Sequence, residues 1–115
     1  MSLDIYLQRV TSARAVNIAN ANLAGGQVIS VGAQLLSTSA SASVWLIVCD
    51  AAAAPSNGAL PALVCPPIRV VAGQMTEYSL GGYRLTNGLA IVASTTDANI
   101  TAIVSSDVIF TYLMG

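Results

Sequence analysis

The chain has 115 residues, 8% of them charged and 55% hydrophobic, with a formal net charge of -1. It contains no histidine and its four basic residues are all arginines, so the usual acid–base side chain near neutral pH is missing, as is the lysine of a Walker loop or Schiff base. Two cysteines alone cannot close a zinc site and a near-neutral chain has no basic surface for phosphates, which sets aside the common enzyme classes, cofactor sites and nucleic-acid binding.

Period-2 alternation and β-branched residues run through the chain, and helical periodicity is almost absent. Leu3 to Val10 reads as a first strand with Leu3, Ile5 and Leu7 on one face. Ala15 to Ala19 is a weaker second strand, ended by the turn cluster Asn20-Ala21-Asn22. Gln27 to Leu36 is a long strand with Val28 facing one way and Ile29, Val31 and Leu35 the other. Gly32 marks a bulge or bend within it. Ser37 to Ser41 is small and polar, which suits a loop.

Ser43 to Asp50 is apolar on both faces, Val44, Leu46 and Val48 alternating with Trp45, Ile47 and Cys49. Such a strand is central and covered twice, once by its own core and once by something else. Ala51 to Pro61 reads as a surface loop. Leu63 to Val71 resumes strand character, with Pro66 and Pro67 confining its first half to an edge or a bulge. Gly73 ends it and Thr76 to Leu80 starts another; Gly81-Gly82 is a turn and Tyr83 to Thr86 a short strand. Asn87-Gly88 is the strongest hairpin signal in the chain. Leu89 to Thr95, Ile100 to Val104 and Val108 to Leu113 complete the pattern, broken at Asp97-Ala98-Asn99 and Ser105-Ser106-Asp107. Turns at intervals of about 8–12 residues and about seven to nine short strands predict one all-β domain over residues 1–115, a single antiparallel β-sandwich of jelly-roll type.

The longest central apolar run, Val44 to Cys49, is far short of the ~20 residues that span a bilayer. Asp4 sits where an export signal carries positive charge. Both features point to synthesis and assembly in the cytoplasm, with no membrane partner. A hairpin over Ala51 to Leu63 centred on Asn57 sets Cys49 and Cys65 opposite each other, at the ~4.5–5.5 Å Cα spacing that a disulfide tolerates. Two buried free thiols acting as small hydrophobes are the alternative, favoured in a reducing compartment. Asp97-Ala98-Asn99 alternates oxygen ligands as calcium sites do, but a self-capping turn needs nothing more. Asn99-Ile100-Thr101 matches a glycosylation sequon, which carries little weight in a chain with no export signal. Tyr78, Tyr83 and Tyr112 are candidates for an interface, since tyrosine joins an apolar ring to a polar tip.

A lone domain normally disperses itself with a surface of about 25–35% charged residues. Here Ser, Thr, Asn and Ala stand in for charge, so the outer face is expected to be buried against other chains in a homo-oligomer, a trimer ahead of a symmetric dimer. Residues 1–10 are a candidate strand-exchange or docking arm, Leu3, Ile5 and Leu7 entering a neighbour's sheet edge. The alternative is that this strand closes the edge of its own sheet.

From Val44 onward the order of features has a precedent. A two-faced apolar strand ends in Asp50 and is followed by an Ala-rich loop with Pro55, Asn57-Gly58 and Pro61. The strand Pro66 to Val71, the Ala72-Gly73 turn and the segment Gly82-Tyr83-Arg84-Leu85-Thr86-Asn87-Gly88-Leu89 come next, then Ile91 to Thr95, Asp107 and a last strand ending near Tyr112. Over residues 44–112 this resembles small virion structural proteins of tailed bacteriophages. The resemblance implies a β-sandwich without enzymatic activity that attaches to capsid, collar or spike as an oligomer. Its partners would be itself and other virion proteins such as the major capsid protein. A decoration protein on the capsid is the leading expectation, and a spike or fibre module that binds the host is the alternative.

Overall fold

The computed structural model describes residues 8–39 and 41–115. Eight strands are present among them: β1 (Gln8–Ala15), β2 (Asn17–Asn20), β3 (Gln27–Leu35), β4 (Ser43–Asp50), β5 (Ile68–Val71), β6 (Met75–Arg84), β7 (Leu89–Ser94) and β8 (Val108–Met114). One sheet has the order β1-β8-β3-β6 and the other β2-β7-β4-β5. The pairs β1 with β8, β2 with β7, β3 with β6 and β4 with β5 are nested one inside the next. The chain is therefore a long double ribbon whose closed end is β4–β5. Rolling that ribbon brings β3 onto β8 and β4 onto β7. This is the topology of a jelly roll.

Alternation builds the core between the sheets. Val28, Val31, Ala33 and Leu35 of β3 face Val44, Leu46 and Val48 of β4 and Leu89, Ile91 and Ala93 of β7, with Val108, Phe110, Tyr112 and Met114 of β8 completing the cluster. Phe110, Leu35, Leu46 and Ile91 are fully buried, each stabilising the fold by about 1.5–3 kcal/mol relative to exposure.

The alternate residues of β4 and β7 form a second core on the outer side of their sheet. Ile47, Cys49, Ala90 and Val92 are buried there beneath Ile100, with Leu60, Leu63, Ala54 and Ala102 packed against them. The cover is the chain's own: segment 51–67 and segment 95–107 meet across it. Gly58 and Ile100 exchange backbone hydrogen bonds at 2.9 and 2.7 Å, and the Ala102 N–H donates to Asn57 Oδ1 at 2.9 Å. The second cover expected for the two-faced strand Ser43 to Asp50 is thus two long connections of the same chain. The strand expected over Ile100 to Val104 is absent. Those residues make only isolated bridges, Ile100 to Gly58 and Ala102 to Ser94, because they serve as half of this lid.

Other expectations change for local reasons. The first strand continues past Val10 to Ala15 and covers Gln8–Ala15 among the described residues, paired with β8; Leu3, Ile5 and Leu7 lie outside the described residues. Val28 lies on the same side as Val31 and Leu35, because the register shifts between Val28 and Ser30 and places the irregularity at Ile29, away from Gly32. Gly81-Gly82 is no turn: β6 runs through it, and the two glycines, at φ 66 and 92, supply the extra residues of a bulge opposite Ile29. Asn87-Gly88 closes no hairpin, since β6 and β7 belong to different sheets. A type I′ turn would need positive φ at Asn87, and among the described residues only glycines have it. Leu63 to Val71 is strand only over Ile68–Val71, since Pro66 and Pro67 cannot donate to a ladder.

Candidate functional site

The four sheet edges differ in how well they are protected. β2 and β5 are four residues long. β1 carries Arg9 and Arg14 and is broken by a register shift between Thr11 and Arg14. Short, charged and bulged edges resist pairing with other chains. β6 is ten residues long, and among the described residues its run Met75–Leu80 pairs only with β3.

That edge is also the apolar part of the surface. Of the five large hydrophobic residues exposed among the described residues, Met75, Tyr78 and Tyr83 lie on β6 and Val71 ends the adjoining β5. Val71 and Met75 flank one tight turn, in which the Gln74 N–H donates to the Val71 carbonyl and the Gly73 N–H to that of Leu35. The two charged residues of β6 turn back onto their own chain. Glu77 is ion-paired with Arg9, and Arg84 Nη1 donates to the Gly25 carbonyl at 2.8 Å.

The three tyrosines separate by position in the sheet. Val10, Tyr112, Val31 and Tyr78 form one cross-strand row from β1 to β6, and residues directly opposite share a face. Tyr112 sits inside the row and is 9% exposed, whereas Tyr78 at its open end is 41% exposed. Tyr83, opposite Val28, is exposed in the same way. Tyr112 is a core residue; Tyr78 and Tyr83 belong to the edge.

Cys49 and Cys65 are buried free thiols in different cores. Continuing the β4–β5 register would set them opposite each other, but Cys49 bridges Leu63 instead and the Val64 N–H donates to the Val48 carbonyl. The Pro66-Pro67 step lets the chain slip, so Cys65 turns into the main core while Cys49 faces the lid. Burial, and secondarily the nearby Cys65 thiol, push Cys49 up to about 11; burial also raises Cys65. Neither is primed as a nucleophile.

Asp50 was legible only as the end of a strand. Its carboxylate accepts the backbone N–H groups of Thr86 at 2.9 Å and of Asn87 at 2.7 Å, with Gly88 at 3.4 Å. Burial would raise its pKa, but these donors outweigh that and hold it below the ordinary carboxylate range. Asp97-Ala98-Asn99 lies in a turn held by neighbouring hydroxyls, Ser94 and Thr96 donating to the Asn99 carbonyl at 3.2 and 2.8 Å. No group of three or more His, Cys, Asp or Glu among the described residues is placed to hold a metal.

A cavity of about 140 Å³ opens between β1 and β2, lined by Val10, Ile18, Leu89 and Tyr112 with Ser12 and Asn20 beside them. Small-molecule sites begin at about 300 Å³. Its polar groups are engaged already: the Ser12 hydroxyl accepts the Phe110 N–H, and Asn20 Oδ1 the Asn22 N–H. The β6 edge is accordingly the feature best placed to act on a partner. Comparison with family models, curated proteins and solved structures finds no match to this chain.

Proposed function

We propose that this chain is a non-enzymatic structural protein of a bacteriophage particle, most concretely a decoration (cement) protein that assembles as an oligomer on the major capsid protein. The observation that carries the reading is a jelly roll whose longest edge among the described residues, β6, exposes Met75, Tyr78 and Tyr83. Jelly rolls recur in viral capsids, though also in lectins and cupins, so the fold alone does not decide the matter. The order of turn and strand features over residues 44–112 adds the bacteriophage class. Assembly would take place in the host cytoplasm, with the finished particle as the protein's location. Adding the purified chain to particles stripped of their accessory proteins tests this. Saturable rebinding to the capsid is expected, and no rebinding to any part of the particle would overturn it.

The half-exposed Tyr78 and Tyr83 favour one second reading, a spike or fibre module that binds the host. Binding of the chain to host cells, lost on Tyr83→Ala, would support it over capsid decoration.

A further inference from the structure

We propose that the β6 edge pairs with the β6 edge of a second copy of this chain, giving a two-fold dimer in which the sheets β1-β8-β3-β6 of the two copies become one eight-stranded sheet. The inference deepens the oligomer in the reading above but does not depend on the particle.

Three observations select a second copy. First, edge strands present unpaired N–H and C=O groups, and the other three edges carry the devices that block their use, whereas Met75–Leu80 is neither short nor bulged and its one charged residue, Glu77, is ion-paired with Arg9. Second, four of the five large hydrophobic residues exposed among the described residues lie at this edge and its corner, Val71, Met75, Tyr78 and Tyr83. Third, charge does not oppose self-pairing. The chain's net charge is -1, and Glu77, the one acidic side chain of the edge, is already paired with Arg9.

The register follows from symmetry. A two-fold axis normal to the sheet places residues of the same face opposite each other, so one residue must face itself. Centring on Glu77 would oppose two carboxylates, and centring on Ser79 would run into the Gly81-Gly82 bulge. Centring on Tyr78 sets Tyr78 against Tyr78 of the second copy, Glu77 against Ser79, and Thr76 against Leu80. Aromatic pairs directly across strands are among the favourable ones. A single free edge of this kind closes after two copies, so the symmetric dimer takes precedence over the trimer.

Sedimentation of the full chain from about 1 to about 200 µM tests the proposal, a range suited to an interface of modest size. The mass is expected to rise from 11.7 kDa to twice that value, and Tyr78→Lys, a charge on the edge, to raise the midpoint at least tenfold. Tyr78→Cys should cross-link as a dimer under mild oxidation, the native thiols being buried. If Tyr78→Lys loses its circular-dichroism signature, Met75→Lys takes its place with the same expected shift. A wild-type mass fixed at 11.7 kDa, a trimer mass, or unchanged association of a folded edge variant would overturn the proposal. So would association that needs residues 1–7 and leaves Tyr78→Cys uncross-linked, which would assign the edge to that segment. A monomer that still rebinds particles sinks the edge pairing alone, and a dimer that does not rebind sinks the particle reading alone.

Discussion

The carboxylate of Asp50 accepts the backbone N–H of Asn87 at 2.7 Å, tying the end of β4 to the crossing from β6 to β7. Both residues belong to the pattern over 44–112 that suggests a virion protein, yet nothing in their spacing shows that they touch. Asp50 also takes the Thr86 N–H, so one side chain satisfies donors that a loop between two sheets would otherwise leave to water. Asp50→Ala is expected to cost about 1–2 kcal/mol, in line with the loss of a helix cap, and roughly 4–8 °C in melting temperature.

Acid should reproduce part of that loss. The folded carboxyl of Asp50 lies below its ordinary range. Its contribution is therefore complete above the unfolded pKa near 4 and falls away as pH drops through the folded value. The melting temperatures of wild type and Asp50→Asn should differ most above about pH 5 and converge at lower pH. A difference that is the same at every pH would contradict the role given to the charge.

Gly88 is required where it stands. A Cβ there would lie 2.8 Å from the Asn20 carbonyl oxygen and 2.9 Å from that of Ala51, at φ 141. Gly32 is constrained by space alone, its Cβ meeting the Thr76 carbonyl oxygen at 2.5 Å. Gly88→Ala and Gly32→Ala should each destabilise by about 1–3 kcal/mol in denaturant titration. Gly25→Ala, which meets nothing within 4 Å, should lose less, through its positive φ alone.

The alternation of the strands made the sandwich legible, because a half-buried strand must repeat with period 2. Val44 to Cys49 even announced its two covered faces. What covers the outer one was not legible. Leu60 stands in a turn-rich loop and Ile100 reads as the start of a strand, and only the fold brings them together over Ile47 and Val92. The hairpin expected at Asn87-Gly88 failed for a related reason: local turn chemistry cannot say whether the next strand stays in its sheet. Tyr78, Tyr83 and Tyr112 were candidates by residue type alone, and separating the buried Tyr112 from the exposed Tyr78 takes strand order. The edge residues Val71 and Met75 were missed, since an apolar residue beside a turn looks the same whether its strand is central or at an edge.

The outer lid can be tested apart from the main core. Ile100→Ala removes a side chain that is 1% exposed and should cost about 2–4 kcal/mol. Hydrogen exchange should quicken at the amides of Gly58 and Ala102, both of which bond across the lid, more than at β3 or β8. Uniform acceleration over the molecule would mean that lid and core open together.

The thiols give a test at alkaline pH. A folded pKa of about 11 for Cys49 lies above the unfolded thiol value near 8.5. Its contribution is full below about 8.5 and lost as pH rises through the folded value. Wild type should lose stability relative to Cys49→Ala across that window. Native protein at neutral pH should react with a thiol reagent only as fast as it unfolds.

The central claim is that the chain is a structural part of a virus particle, and protein composition tests it most directly. If the proposal holds, quantitative mass spectrometry of gradient-purified virus particles should find the chain at a fixed, multiple copy number relative to the major capsid protein. Its presence in infected cells together with its absence from the purified particles would contradict the account.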